Sequence, residues 1–155
     1  MTNRQRAAII LGMHDAIVSL TGLIAGLFFA SVETNIIVIS CIISSISASL
    51  SMGAANYLAT RATSRRGAFG AATFTFLAYM ITCVLLILPF FVFANRTVEL
   101  MAVFAMATLI IFGFNLAFYR NKRFWNHFLE MLGICATVSV AAFLIGEVAS
   151  RLFGI

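Results

Sequence analysis

Five long apolar stretches, separated by short polar segments, run along the chain. Each is about 20 residues long, which is the length that an α-helix needs to cross the hydrocarbon core of a bilayer. We therefore predict transmembrane helices at about residues 8–30, 36–59, 70–93, 98–118 and 128–146. Because the connections are short, consecutive helices should pack antiparallel as a bundle of five transmembrane helices, a single domain over residues 1–155.

The composition supports this interpretation. The 155 residues are 63% hydrophobic and 10% charged, with a mean hydropathy of +1.08. A water-soluble domain of this length cannot bury so much apolar surface, so we expect an all-α integral membrane protein in contact with the lipid bilayer. The first stretch is longer than the apolar core of a usual signal peptide and contains His14 and Asp15, so it is interpreted as a retained helix.

The positions of the basic residues predict the orientation of the helices. Eight of the ten lie before the first helix or after the second and fourth: Arg4, Arg6, Arg61, Arg65, Arg66, Arg120, Lys122 and Arg123. These segments share one side of the membrane if the helices alternate. The positive-inside rule then places the N-terminus in the cytoplasm and the C-terminus outside. Contact of these segments with anionic lipid headgroups accounts for the net charge of +5, and no nucleic-acid partner is expected.

One carboxylate, that of Asp15, lies inside the first apolar stretch. A charged carboxylate in a spanning helix costs about 3 kcal/mol or more, so it should face a partner, a cavity or an ion rather than lipid. Met52 lies at a similar predicted depth in the second helix, roughly 10 Å from the cytoplasmic end, as against roughly 12 Å for Asp15. A carboxylate and a thioether together suit a borderline divalent transition metal. The alternative is that serines hydrogen-bond Asp15 and that Met52 fills space.

Small and polar side chains recur at helical spacing in the second helix. One stripe consists of Ser40, Ser44, Ser47, Ser51 and Ala55, and its neighbour consists of Ser45, Ser49, Met52 and Asn56. The first helix has a matching face, which is formed by Asp15, Ser19, Gly22 and Gly26. Small residues let helices approach closely in lipid, so these faces are interpreted mainly as packing surfaces.

His14 and Glu130 are candidates for a cytoplasmic entrance or a proton relay. His14 projects about 100° away from Asp15 on a helix, so the two should not bind one ion, but imidazole titrates near neutral pH. Glu130 lies near the start of the fifth helix, beside Arg123 and His127. An interfacial ion pair is the favoured interpretation of Glu130, and an entrance carboxylate is the alternative.

Several other side chains have simple structural interpretations. Glu147 and Arg151 are spaced for a salt bridge, and Asn115 is expected to hydrogen-bond between helices. Pro89 is expected to kink the third helix. The cysteines, which are Cys41, Cys83 and Cys135, fall inside predicted helices and are expected to be packing residues. An aromatic belt at the cytoplasmic side is expected from Phe118, Tyr119, Phe124 and Trp125.

Sequence motifs of enzymes are not recognisable. The chain has no His-x-x-x-His metal pair, no phosphate-binding Gly-Lys loop and no Ser–His–Asp order on loops. We therefore do not expect an enzyme or a permanently bound cofactor.

The first two helices resemble the vacuolar iron transporter family. Its first helix has the pattern Asp-Gly-Ile-Val-x-x-x-Gly-x-x-Ala-Gly, and this chain has Asp15-Ala16-Ile17-Val18, then Gly22, then Ala25-Gly26. The family's second helix ends with Ser-Met-Ala-Ala-Gly-Glu-Tyr-x-Ser, where this chain reads Ser51-Met52-Gly53-Ala54-Ala55-Asn56-Tyr57-Leu58-Ala59. Leu132-Gly133 and Ile145-Gly146 are similar to the family's last helix.

The resemblance implies a transporter that exports Fe²⁺ or Mn²⁺ from the cytosol, by exchange for protons. It implies five spanning helices, a homodimer through the first helix and an ion path between the two first helices. Asp15, Met52 and Asn56 occupy the positions of the metal site. The implied location is a multi-pass protein of a bacterial inner membrane, or otherwise of a vacuolar-type membrane.

The sequence departs from the family pattern at several positions. Asn56 replaces a glutamate and can offer a cation only its carbonyl oxygen, while Ala16 and Ala55 replace glycines. The family's glutamate-rich cytoplasmic insert is absent, as in the nodulin-like branch, and a short Arg61–Gly67 segment stands in its place. These departures leave two alternatives open. One is a transport-inactive relative that serves as a structural or accessory subunit of a larger membrane complex, and the other is an exporter of a different substrate.

Overall fold

The structure, a computed structural model, describes residues 2–63, 66–118 and 123–153, and these residues contain helices but no strands. The helices are α1 (Asn3–Phe29), α2 (Thr34–Thr63), α3 (Ala68–Ile87), α4 (Pro89–Val92), α5 (Arg96–Phe118) and α6 (Arg123–Phe153). Five segments are long and apolar enough to cross a membrane, and α3 with α4 form the third of them. The prediction of an all-α membrane protein with five spanning helices is therefore confirmed.

Most helices extend beyond the predicted apolar stretches. α1 begins at Asn3 because Thr2 and Gln5 form a capping box, in which the Gln5 amide donates to Thr2 Oγ1 at 3.3 Å and the Thr2 amide donates to Gln5 Oε1 at 2.8 Å. α6 ends at Phe153, against a predicted end at residue 146. Hydrophobicity marks only the part of a helix that lies in lipid, so polar terminal turns are missed.

Pro89 interrupts the third span, as predicted, because proline has no backbone N–H to donate within a helix. α3 ends at Ile87, and Pro89 is the first residue of the short helix α4. The break lies near the end of α3, so the greater part of the span remains a regular helix.

α1 is the central helix of the bundle. It packs most extensively against α3 and α6, while α2 packs mainly against α3. Two glycines permit this close approach. A Cβ at Gly12 would overlap the carbonyl group of Thr75, and a Cβ at Gly146 would lie 2.5 Å from the carbonyl oxygen of Gly26.

The two ends of the bundle differ in charge. At one end, here called the basic end, the Arg4 guanidinium donates to the carbonyl oxygen of Arg66 at 2.8 Å, which joins the start of α1 to the start of α3. Arg6 and Arg61 are also exposed at this end. Three residues of the predicted basic segments, Arg65, Arg120 and Lys122, lie outside the described residues, as does Tyr119 of the predicted aromatic belt.

At the opposite end, the first turn of α5 holds the ends of two other helices. Arg96 donates to the carbonyl oxygen of Phe28, near the end of α1, at 2.9 Å and also lies over the Phe28 ring at 4.8 Å. The buried carboxylate of Glu99 accepts from the Thr34 hydroxyl, at the start of α2, at 3.5 Å. A cation at a helix C-terminus and an anion at a helix N-terminus both interact favourably with the helix dipoles.

The outward faces of the helices are suited to lipid. Large apolar side chains are exposed on every spanning helix, for example Ile43 on α2 and Leu109 on α5, each 64% exposed. All three cysteines are buried and unpaired, which confirms that they are packing residues. Their burial inside apolar helices also fits a chain that contacts the bilayer around its circumference.

A candidate cation site and the cavities around the first helix

Asp15 is partly buried in the middle of α1. It lies within electrostatic range of Tyr79 and Cys83 on α3 and of His14 beside it in the chain. Tyr79 is only 2% exposed, and its hydroxyl lies near the side chain of Ser19, one turn further along α1 than Asp15. The hydrogen bonds of the described residues include none to the Asp15 carboxylate. Its oxygens therefore have no hydrogen-bond donor among the described residues.

Met52 is partly buried and packs against the hydrophobic core. The stripe that contains it is the inner face of α2, because Ser45, Ser49 and Gly53 are buried, and Gly53 lies against Ala72 and Phe76 of α3. The other serine stripe faces outward, since Ser47, Ser51 and Ala55 are exposed. The thioether of Met52 thus has a packing role in this state, and its proposed contact with a metal stays a prediction.

The small-residue faces of α1 and α2 do not pair as the sequence suggested. Gly22 lies against Val138, and Gly26 lies against Ala142, so the Gly-x-x-x-Gly face of α1 packs on α6. α2 packs instead on α3. Faces of this kind accept any helix with a complementary surface, which is why the partner could not be identified from the pattern alone.

Asn56 is held by hydrogen bonds within the protein. Its Nδ2 donates to Thr75 Oγ1 at 2.5 Å and to the Ala71 carbonyl at 3.5 Å, while its Oδ1 accepts from the Thr60 hydroxyl at 3.3 Å. Thr75 in turn donates to the Ala8 carbonyl at 3.2 Å. Asn56 therefore links α2 to α3 and, through Thr75, to α1. One lone pair of Oδ1 remains for a further ligand.

Two separate cavities flank α1 at the basic end. The first, of about 300 Å³, lies between α1, α2 and α3 and is here called the Asn56 cleft. Its polar lining consists of Arg4, Asn56, Thr60 and Thr63, and the remaining lining residues are alanines and a leucine. No carboxylate lines this cleft.

The second cavity, of about 160 Å³, lies between α1, α5 and α6 and is here called the His14 cavity. It is lined by His14, Phe114, His127, Glu130 and Met131, together with two isoleucines. His127 Nδ1 lies 3.5 Å from Glu130 Oε2. The sequence singled out His14 and Glu130 separately, and the fold brings both to this one cavity.

A third opening is an apolar groove between α1 and α6, of about 490 Å³. Ser19, Gly22 and Gly26 of α1 form one wall, and Ala142 and Gly146 of α6 belong to the other. This groove makes part of the central face of α1, including the exposed Ser19, accessible from the surface.

Two further predictions about side-chain pairs are confirmed. Arg151 donates two hydrogen bonds to Glu147 Oε1, at 2.9 and 2.8 Å. Asn115 is fully buried on α5, and its Nδ2 donates to the Met131 sulfur on α6 at 3.4 Å. Sequence reasoning missed the burial of Glu99 and Tyr79 and gave Met131 no role, because each depends on which helices become neighbours.

No group of three or more His, Cys, Asp or Glu side chains in the described part of the chain is already arranged to hold a metal ion. The candidate ligands Asp15, Met52 and Asn56 therefore form no such ready-made cluster of titratable groups. Asp15 is the only titratable residue among these three.

Five helical segments that are long and apolar enough to cross a membrane define an integral multi-pass membrane protein. Residues 6–66 of the 155-residue chain match the sequence model of the VIT family. The matched segment contains α1 and α2 with Asp15, Met52 and Asn56. A search of curated proteins returned no match.

Proposed function

We propose that this protein exports a divalent transition metal ion, Fe²⁺ or Mn²⁺, from the cytosol by exchange for protons. In this proposal the basic end faces the cytoplasm, and the membrane is a bacterial inner membrane or a vacuolar-type one. The observation that carries the proposal is the Asp15 carboxylate, which lies within the matched segment, inside a spanning helix, without a hydrogen bond from the described residues.

The energetics of Asp15 favour a cation as its partner. A unit charge pair 4 Å apart at an effective dielectric constant of 20 attracts by about 4 kcal/mol, so a divalent ion attracts a carboxylate by about twice that. The cost of placing the carboxylate in the span is about 3 kcal/mol. This attraction acts against the cost of the carboxylate and of dehydrating the ion, so a divalent ion is a favourable partner for a carboxylate at this position.

The proposed roles of the remaining ligands follow from their chemistry. The Met52 thioether supplies a soft donor, which a borderline metal accepts more readily than Mg²⁺ or Ca²⁺ does. Asn56 offers one free lone pair of Oδ1 and carries no charge, so it is the weakest of the three ligands. Imidazole titrates near neutral pH, so we assign His14, which is adjacent to Asp15, the role of passing protons between Asp15 and Glu130.

We further propose that the protein is a homodimer whose interface includes the α1–α6 groove. A second copy is the occupant that the groove best fits, because its walls are small and apolar, so the backbones of two copies can approach closely. Ser19 lies in this groove one turn from Asp15, so a dimer formed here brings the two first helices near each other, as an ion path between them requires.

A second function, that of a transport-inactive accessory subunit in a larger membrane complex, is favoured by one observation. The amide of Asn56 is engaged with Thr75, Ala71 and Thr60, which gives it a structural role that needs no ion. The two functions differ in what they require of Asp15, since an accessory subunit does not need its charge for ion flux.

Substitution of Asp15 separates these functions. Asp15→Asn keeps the size of the side chain and removes its charge, so we expect an intact bundle and loss of Fe²⁺ or Mn²⁺ flux in proteoliposomes. Glu147→Gln is the matched control, since it also converts a carboxylate to an amide, here in an exposed ion pair at the opposite end. Flux that is unchanged in a well-folded Asp15→Asn protein would show that the carboxylate does not bind the transported ion.

A further inference from the structure

The two cavities at the basic end differ in charge. Among the described side chains, the Asn56 cleft is lined by the Arg4 guanidinium, whereas the His14 cavity is lined by the Glu130 carboxylate and two imidazoles. A carboxylate attracts cations and a guanidinium repels them. Of the described lining residues, those of the His14 cavity therefore include a group that attracts a cation, and the charged residue of the Asn56 cleft repels one.

The donors around the His14 cavity match the preferences of a borderline metal ion. They comprise the imidazole nitrogens of His14 and His127, the carboxylate of Glu130 and the thioether of Met131. The distance of 3.5 Å from His127 Nδ1 to Glu130 Oε2 is close to the donor spacing of about 3.4 Å in a tetrahedral site with bonds of about 2.1 Å. Imidazole with carboxylate suits Fe, Co or Zn, whereas Mg²⁺ and Ca²⁺ prefer oxygen ligands alone.

Buried polar atoms beside the cavity lack partners. His14 Nε2 is buried without a hydrogen bond, and so is Oδ1 of Asn115, whose Nδ2 donates to Met131. A buried polar atom without a partner is uncommon in a native protein and calls for a water molecule or an ion. Both atoms belong to residues that line the His14 cavity or contact its lining, and this local deficit is independent of the charge contrast between the cavities.

We propose that the His14 cavity is a binding site for a borderline divalent metal ion, separate from Asp15, with His14 and Glu130 as its principal ligands. His127 and Met131 complete the donor set. The described residues hold no ready-made cluster of three such ligands, so in this proposal the ligand side chains move closer together when the metal binds. The side chains of His127 and Glu130 are 39% and 66% exposed, which leaves them room to rotate. A role of this site in loading metal for export rests on the proposed function, whereas the binding of metal at the site does not.

The test measures Co²⁺ binding by the purified full-length protein in lipid nanodiscs. Co²⁺ reports its ligands through visible absorption, and the Asp15→Asn variant removes the other candidate site. We expect Asp15→Asn to bind one Co²⁺ per chain, with the spectrum of imidazole ligation. Adding Glu130→Gln should weaken this binding at least tenfold, and adding His14→Gln should in addition change the spectrum. Glu147→Gln, on the same helix, is the matched control and should leave the affinity unchanged.

Two results would overturn the proposal: no Co²⁺ binding by folded Asp15→Asn, or equal affinity with and without Glu130→Gln. Because the Glu130 side chain is largely exposed, its substitution is expected to preserve the fold, which circular dichroism and size exclusion check. If that variant does not fold, the His14→Gln comparison decides in the same way. Absence of metal flux together with Co²⁺ binding that depends on Glu130 would reject the transport proposal and leave this site intact.

Discussion

Substitution of Gly12 by alanine tests the contact on which the position of Asp15 depends. At Gly12, α1 lies close to α3, because a Cβ there would overlap the carbonyl group of Thr75. Thr75 also bonds the Ala8 carbonyl and Asn56, so this one turn of α3 joins three helices. Any displacement of α1 here also moves Asp15, which lies less than one turn further along the same helix.

The size of the effect follows from the geometry. An added Cβ would lie 3.1 Å from the Thr75 carbonyl carbon and nearer still to its oxygen, whereas unstrained contacts are about 3.5–4.0 Å. The obstacle is backbone, so no side chain can rotate away. Overpacking of this kind costs about 1–3 kcal/mol. The better helix propensity of alanine returns up to about 1 kcal/mol, so we expect a net loss of about 1–2 kcal/mol.

The assay is reversible unfolding by SDS in mixed micelles, followed by circular dichroism. Gly133→Ala is the matched control, since a Cβ at this helical position has no other atom within 4 Å. It should leave stability unchanged or raise it slightly. Equal unfolding midpoints for Gly12→Ala and Gly133→Ala would refute the close contact of α1 with α3 and, with it, the placement of Asp15 beside that helix.

Two further predictions concern the ends and the surface of the bundle. Arg96→Met removes the hydrogen bond to Phe28 and the contact with its ring, so the free energy of unfolding should fall by about 1–2 kcal/mol in the same assay. Arg61→Met is the control: Arg61 is exposed, and its substitution should change the free energy of unfolding little. An equal fall in the free energy of unfolding of both variants would argue against a specific role for Arg96. Ser19→Cys should form an intermolecular disulfide in membranes if the α1–α6 groove is a dimer interface, and Leu109→Cys, exposed on α5, should not; the reverse pattern on non-reducing gels would place the interface elsewhere.

The sequence was sufficient to predict the fold class and the local pairs. Hydrophobic stretches of membrane-spanning length can only be helices here, since every backbone group needs a partner in lipid. The Glu147–Arg151 pair followed from helical spacing alone, because both residues lie on one helix. Asp15 was recognisable because a carboxylate in such a stretch is costly whatever surrounds it.

What the sequence could not predict depends on which helices are neighbours. The glycines of α1 suggested a face for α2, but they pack on α6, since small-residue faces carry no information about their partner. His14 and Glu130 are 116 positions apart in the numbering and meet only because α6 returns to α1. Glu99 lies at the start of the predicted fourth helix, and its burial follows from the start of α5 lying beside the start of α2, which the sequence does not indicate.

The measurement that tests the central claim most directly is metal flux by the unmodified protein in sealed proteoliposomes, with and without a pH gradient. Fe²⁺ or Mn²⁺ movement is followed with a fluorescent indicator in the lumen, and proton movement is followed in parallel. The account predicts metal flux above that of protein-free liposomes, accelerated by an opposing proton gradient and accompanied by proton counterflow. Metal flux no greater than in protein-free liposomes, from protein shown to be folded, would contradict it.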